Sequence, residues 1–458
     1  MVDHSGGRRL YAAVWRWHFY AGLFAAPFLL ILSITGAIYL FNDEINDALY
    51  PQLRFAPSGE SMLNTGELVA SVQRHYPNAV VTRIDTPVTP GRTAMAFVTP
   101  ASGAPLRVFV DPGNARVLGE FVYTDTLVGF ADLMHGSLLL GEFGDAVVEL
   151  AACWTLVLVV TGLYLWWPRR QRARLRHALL GEPGARGRRL WREVHRLIGV
   201  YAAALILFLV ITGLPWAGLW GGQFLTPISN ALGLGYPPQL QHHSAAPPAT
   251  PPAVMGDLGE MPWTLQQAPL PTAHLHHGEG QHAPGQAVIG VHQVHRILLQ
   301  HGLPHGYRLT LPTPEHAIYT AITYPDRPQG QRTLQIDAYS GAVIANTGFA
   351  HYGAIAKAVE WGVAVHMGNY FGVVNQIVML ATCLAIIALV ITGLTLWWRR
   401  RPPGGLGAPR PLAAARARNL TLITLALLLM LPLAGASLVL VLIIEALWRR
   451  WARRAGAR

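Results

Sequence analysis

Residues 15–41 read WRWHFYAGLFAAPFLLILSITGAIYLF, and residues 192–216 read REVHRLIGVYAAALILFLVITGLPW. Each has a His-x3-Gly start, His18 to Gly22 and His195 to Gly199, and each reaches a Thr-Gly pair 17 residues past the His, Thr35-Gly36 and Thr212-Gly213. A second pattern also occurs twice. His135 and His366 are each followed six residues on by Gly (Gly141, Gly372), then by Thr161-Gly162 or Thr392-Gly393, and then by a Trp-Trp pair that begins 31 residues past the His. Agreement at so many landmarks marks two copies of one two-span unit.

The runs carrying these landmarks are long enough to cross a bilayer, which takes about 20 helical residues. They lie at 18–41, 145–167, 196–220 and 375–398, with a fifth at 419–447. Composition agrees. Only 13% of the 458 residues are charged and 52% are hydrophobic, against about 25% charged in an average soluble chain. Lipid must therefore serve as part of the solvent. The net charge of +11 comes almost wholly from Arg, with Lys357 the one Lys. A basic balance also fits nucleic-acid binding, but its placement argues for basic loops at a membrane, and no nucleic-acid partner is expected. The segment between spans two and three holds nine Arg and two acidic residues, and the segment after span four holds six Arg and none. The positive-inside rule puts both in the cytoplasm, with 42–144 and 221–374 outside. Arg8, Arg9 and Arg16 precede the first span like the start of a signal peptide, but its apolar run is too long for one, so it reads as an uncleaved anchor. The fifth span disagrees with the scheme: one crossing would carry Arg449, Arg450, Arg453 and Arg454 outside, while Pro432 and Gly435 interrupt its centre.

The expected architecture is a membrane protein: an α-helical bundle of four core transmembrane helices built by internal duplication, a fifth C-terminal span, and two small α+β periplasmic domains. The divisions are 1–41, 42–144, 145–167, 168–195, 196–220, 221–374, 375–398, 399–418 and 419–458. In the first outer domain LVASVQRHY reads as a helix, and VVTRIDTP, TAMAFVTP, LRVFVDP and ARVLGEF as strands. The second answers with the helix VIGVHQVHRILLQHG and the strands YRLTLP, AIYTAIT, TLQID and AVIAN. The alternation of apolar residues favours antiparallel pairing. Residues 237–284, rich in Pro, His and Ala, read as an irregular connector.

Two cysteines, Cys153 and Cys383, exclude a disulfide framework, a four-thiolate cluster and covalent haem attachment through C-x-x-C-H. The 19 histidines carry more information. Ionisable or metal-binding groups at a span are costly and usually functional; a lone one ordinarily bonds a carbonyl or a lipid headgroup. Four at repeated positions predict two haems b. His18 and His195, both at cytoplasmic starts, would ligate an inner iron, and His135 and His366 an outer one, through neutral imidazoles. By helix rise, Gly36 and Gly213 fall ~25 Å from their histidines, level with the outer haem, and Gly162 and Gly393 fall level with the inner one. They are read as walls against which a flat macrocycle slides, the alternative being helix–helix contact. Arg16, Arg192 and Arg196 are placed to meet the propionates, or simply to set topology. His242, His243, His274, His276, His277 and His282 lie in the connector, where a biased loop is the better reading than a metal site. His292, His295, His301, His305 and His316 belong to the second outer domain and are candidates for lining a substrate or iron surface. His177 reads as a solvated loop residue.

Residues 15–41, LMHGSLLLGEFGDAVVELAACWTLVLVVTGLYLWWPRR (133–170) and WREVHRLIGVYAAALILFLVITGLPWAGLWG (191–221) resemble the PepSY-associated transmembrane helix family. MPWTLQQAPLP (261–271) and QIDAYSGAVI (335–344) resemble its second outer domain. The resemblance extends to about residue 401 and implies a multi-pass protein of the bacterial inner membrane with PepSY-like periplasmic domains. The family includes iron-regulated di-haem reductases of ferric siderophores, and the match implies haem ligation at His18, His135, His195 and His366. The expectation is an electron conduit that reduces Fe(III) held by a siderophore in the periplasm. No G-x-G-x-x-G lies between a strand and a helix, and the cytoplasmic loops are too short for a flavin or NAD domain, so electrons would come from quinol or a separate reductase. The competing expectations are a membrane-anchored module that binds a periplasmic peptidase, and a transporter for iron or its chelate. Repeated histidines argue against a bare anchor. Against a transporter, the sequence offers no second acidic residue buried mid-span and no discontinuous helix pair.

Overall fold

A computed structural model describes residues 4–168, 178–237, 288–313, 317–403, 405, 407 and 417–455. It divides into two compact units, one of Met1–Leu40, Asp132–Phe224 and Gln376–Arg458, the other of Phe41–Ala131 and Leu225–Asn375. The connector histidines, His177, His316 and the stretch 261–271 lie outside the described residues.

The first unit is helical. Its long helices are α1 (His4–Tyr39), α6 (Gly141–Trp166), α7 (Arg188–Gly213) and α11 (Val373–Trp398), the last beginning at the unit boundary. Among the described residues these four are long and apolar enough to cross a membrane. The candidate span within α1 is Leu10–Tyr39, which begins ahead of the apolar run at 18–41. α7 ends at Gly213, just before Pro215, whose missing N–H cannot continue the ladder. A short 3-10 turn and a π-helical segment, Gly218–Leu225, follow.

The expected fifth span is not one helix. α12 (Ala417–Met430) and α13 (Pro432–Ala455) meet at Leu431, with Pro432 at the first helical position, where proline is tolerated. A Cβ on Gly435 would stand 2.5 Å from the Leu428 backbone nitrogen. In a continuous helix residues seven apart are ~10 Å apart along the axis, so the chain doubles back here and forms a hairpin. The apolar part of α13, Pro432–Leu447, is correspondingly short. Trp154 of α6 donates to Ser437 Oγ at 3.1 Å, and Trp220 to the Met430 carbonyl at 3.0 Å.

The second unit includes the short helices α2 (Asn42–Leu49), α3 (Pro51–Arg54) and α8 (Thr226–Ala231). Its strands β1 to β4 span Ala79–Asp85, Ala94–Pro100, Leu106–Val110 and Val117–Val122, and β5 to β8 span Arg308–Thr310, Ile318–Thr323, Arg332–Asp337 and Val343–Gly348. They form one eight-stranded antiparallel sheet of order β4-β3-β2-β1-β5-β6-β7-β8. The two expected outer domains are therefore fused. β1 and β5 pair through Arg83↔Thr310, Ile84↔Leu309 and Asp85↔Arg308, which consumes two edges that would otherwise expose unpaired backbone groups. Alternation within a strand tells which face is buried but not which edge it joins, and for that reason the sequence pattern left the halves apart. Asp111 and Asp337 make matching turns: Asp111 accepts from Gly113 N at 3.0 Å, and Asp337 from Ser340 N at 2.7 Å.

One core fills the space between this sheet and α4 (Thr65–His75) and α9 (Val291–Gln300). Leu68, Val69 and Val72 of α4 and Val294 and Leu298 of α9 pack with Ile84, Ala96, Leu309 and Leu334. Each Leu, Ile or Val side chain among them, fully buried, is worth about 1.5–3 kcal/mol. Asn64 caps α4 by accepting from Gly66 N at 2.8 Å.

Candidate functional site: facing imidazoles in the helical unit

α1, α6, α7 and α11 enclose a cavity of about 830 Å³, with His18 and His195 on its wall. The two rings stand 6.5 Å apart, centroid to centroid, at 83° to each other. Each ring is held from behind. His18 Nδ1 lies 2.9 Å from Thr161 Oγ1 and His195 Nδ1 lies 2.9 Å from Thr392 Oγ1. The threonine hydroxyls spend their own protons on helix carbonyls, Thr161 on Val157 at 2.6 Å and Thr392 on Ala388 at 2.7 Å. Each hydroxyl must therefore accept from the imidazole. Nδ1 carries the proton, and Nε2 keeps a free lone pair.

This is the tautomer that ligates a metal, with an outer partner fixing the ring. A His nitrogen sits about 2 Å from a metal it binds and roughly 1 Å ahead of its ring centroid, so two imidazoles on one metal have centroids about 6 Å apart. The observed 6.5 Å fits that separation. Among the described residues no group of three or more His, Cys, Asp or Glu is arranged to hold a metal ion. Two axial nitrogens are what a porphyrin-bound iron takes from a protein.

Gly162 and Gly393 line the cavity, and with the threonines before them they also cradle the histidines. A Cβ on Gly162 would lie 3.2 Å from His18 Cε1, and one on Gly393 would lie 3.4 Å from His195 Cε1. Gly gives the ring room and the preceding Thr accepts its N–H. Repetition marks Thr161 and Thr392 in the sequence, but their role as acceptors for the imidazoles shows only in the structure.

The third cradle holds His135, on α5 (Leu127–Ser137). Thr35 Oγ1 bonds Ile31 O at 2.8 Å and lies 3.1 Å from His135 Nδ1, and a Cβ on Gly36 would lie 3.1 Å from His135 Cε1. Burial pulls His135 below the usual imidazole range, which favours the neutral form. The chain turns sharply just beyond it. Leu138 and Leu139 have φ of 51° and 59°, and Gly141 has 59°, a conformation that costs an L side chain roughly 1–2 kcal/mol per residue.

His366 ends α10 (Ala354–His366) in the sheet unit. That helix is held by Glu360, which accepts from Tyr236 OH at 2.5 Å and Gln331 Nε2 at 2.8 Å, and by Asn375 Nδ2, which donates to Val365 O at 2.8 Å. The chain after it bends through Gly368 and Gly372, both at positive φ. Thr212 repeats the back-bond of its counterparts, donating to Phe208 O at 2.7 Å, while Gly213 closes α7.

Of the expected arginines, Arg192 and Arg196 line the cavity and Arg16 does not; it lies instead over the Tyr20 ring at 5.6 Å. Arg196 is committed to Glu193 and to the Ala178 carbonyl. Arg188, Arg189 and Arg400 join the rim. The Arg400 guanidinium stacks over Trp15 at 4.5 Å and Phe19 at 5.1 Å. Burial, and then Arg188, lower its proton affinity. Such a rim favours an anionic group at the cavity mouth.

In the sheet unit, His295 shares hydrogen bonds with Thr65 Oγ1 at 3.2 Å and Tyr307 OH at 2.9 Å, and His301 Nδ1 donates to Ile297 O at 2.9 Å. Both side chains thus bond within the unit.

A family model, the PepSY-associated TM region, matches residues 15–400. The chain belongs to that family. It is accordingly a membrane protein with several transmembrane helices, and all the cavity's histidines and arginines named above fall inside the matched stretch. No curated protein matches the chain.

Proposed function

We propose that this PepSY-associated protein is a di-haem b electron-transfer protein of the bacterial inner membrane, a doubled two-span unit that reduces a ferric siderophore to release Fe(II) in the periplasm. The observation that carries the reading is the His18–His195 pair, two neutral imidazoles 6.5 Å apart with their Nδ1 protons held by Thr161 and Thr392. His135, in the matching cradle of Thr35 and Gly36, carries the outer site, and His366 stands at the equivalent place in the repeat.

Haem bound at these positions supplies reversible one-electron storage at two depths of the bilayer. The chain's own part would be to hold the group in the cavity through His18 and His195, with Arg188, Arg192 and Arg400 at the rim to meet its acidic substituents. The sheet unit offers a docking face to the ferric chelate. A hard, oxygen-rich chelator holds Fe(III) far better than Fe(II), so one electron loosens the metal without destroying its carrier. Electrons arrive from quinol or from a separate reductase.

The purified protein is expected to give about two haems b per chain in a pyridine haemochrome assay. Reduced protein mixed with a ferric siderophore should reoxidise and yield Fe(II) that a ferrous chelator traps. A colourless preparation from porphyrin-replete cells would overturn the proposal.

A further inference from the structure

Glu149 lies within span α6, 1% exposed. Its Oε2 accepts from the backbone nitrogens of Leu219 at 3.2 Å and Trp220 at 3.1 Å, at the start of the π-helical segment. Its Oε1 is buried with no hydrogen-bond partner. One turn away on the same helix, Asp145 accepts from Gly218 N at 2.8 Å and lines a groove of about 360 Å³ with Asp132, Glu142 and Ser137. Among the described residues neither carboxylate has a cationic partner. One turn further along α6, Cys153 is fully buried and packs with Leu214 and with Ala434 of α13, neither of them charged.

Capping explains part of this. The first turn of the π-helical segment presents backbone N–H groups that lipid cannot satisfy, and acceptors on α6 take them up. Capping does not require a charge, and it leaves Oε1 unused. Nor does the repeat demand acids here. The positions matching Asp145 and Glu149 on α11 are Gln376 and Leu380, and Gln376 donates to Leu40 O at 2.9 Å.

Helix counting gives the depth. Glu149 is 12 residues along α6 from Thr161, or ~18 Å, whereas His135 sits against a Thr ~25 Å along α1 from His18. Glu149 therefore lies between the two histidine levels, closer to that of His135. An unpaired charge at such a place is costly, and an electron added nearby raises that cost, because Coulomb repulsion is little screened away from water. Protonation removes it.

We infer that Glu149 is a proton-binding site inside the membrane, filled from the groove by way of Asp145, and that it takes up a proton when a one-electron reductant adds an electron to the adjacent redox centre. The inference rests on the di-haem reading. The balance is one electron to the iron and one proton from outside water to the carboxylate, giving a carboxylic acid; oxidation reverses both.

The test pairs two measurements on the full-length protein and on Glu149→Gln, whose amide oxygen still accepts both N–H bonds. Infrared spectroscopy should show a protonated carboxylic carbonyl band in the wild type that is missing in Glu149→Gln and grows on reduction. Redox titration at several pH values should show a midpoint potential that falls with rising pH in the wild type and is flatter in the variant. Asp145→Asn should slow appearance of the band after a pH jump. A band unchanged in Glu149→Gln, or a pH dependence the same in both proteins, would overturn the inference. A colourless preparation would refute the haem reading and leave the carbonyl band to decide the proton site.

Discussion

Thr161 commits its proton to Val157 O and its lone pair to His18 Nδ1, so the side chain acts as a one-way acceptor. Valine has nearly the same shape and no acceptor. Thr161→Val would leave a buried imidazole N–H unpaired, at a cost of about 1–3 kcal/mol, and free the ring to turn. Removing such an outer partner typically weakens metal binding 10–100-fold. The expected outcome is faster transfer of the inner haem to apomyoglobin, with Thr161→Ser restored toward wild type. Gly162→Ala tests the other half of the cradle, since its Cβ would press on His18 Cε1 at 3.2 Å. A visible spectrum shifted from the wild type is expected there. Equal haem loss rates in wild type and Thr161→Val would show that the contact is incidental.

At the scale of elements, the hairpin of α12 and α13 removes the conflict posed by the basic tail. If the chain reverses at Leu431, residue 455 and the loop after α11 share one side of the membrane. Cys153 and Cys383 are buried, so single cysteines at Gly405 and Ala455 offer clean targets for an impermeant maleimide. Both should label from the same side; labelling of Ala455→Cys from the other side would restore the single crossing. The sheet unit makes its own prediction. Burial, with His292 beside it, lowers the proton affinity of His295 in the folded state. The unfolded chain then binds the proton first, so this group's contribution is intact above about pH 6.5 and declines as pH falls below it. Calorimetry should find a smaller acid-induced fall in unfolding temperature for His295→Gln than for the wild type. These elements also mark what the sequence reveals. Helix α4 and the strands show in the apolar periodicity, which is local. The β1–β5 junction and the reversal at Leu431 rest on edge pairing and on close approach at Gly435, and periodicity is silent on both. Thr161 shows as a repeated letter, but its role depends on which neighbour takes its proton.

For the whole molecule, the decisive property is which histidines fail together. A site held by two axial imidazoles loses its group when either is removed, whereas independent surface histidines fail singly. His18→Ala and His195→Ala should therefore produce the same phenotype, a chain with about one haem and an unaltered outer spectrum. His135→Ala and His366→Ala should share the complementary one. Each variant leaves most of the apolar packing in place, and the eight-stranded unit has its own core, so wholesale misfolding is not the expected cause of loss. Haem content and the reduced spectrum of the four purified variants check the pattern. The siderophore reaction then sorts the roles: loss of either haem should stop electron transfer from an inner-side donor, while a small reductant acting from the outside should still serve the variants that keep the outer haem. Four unrelated phenotypes, or full haem content after His195→Ala, would dissolve the pairing that the 6.5 Å ring separation supports.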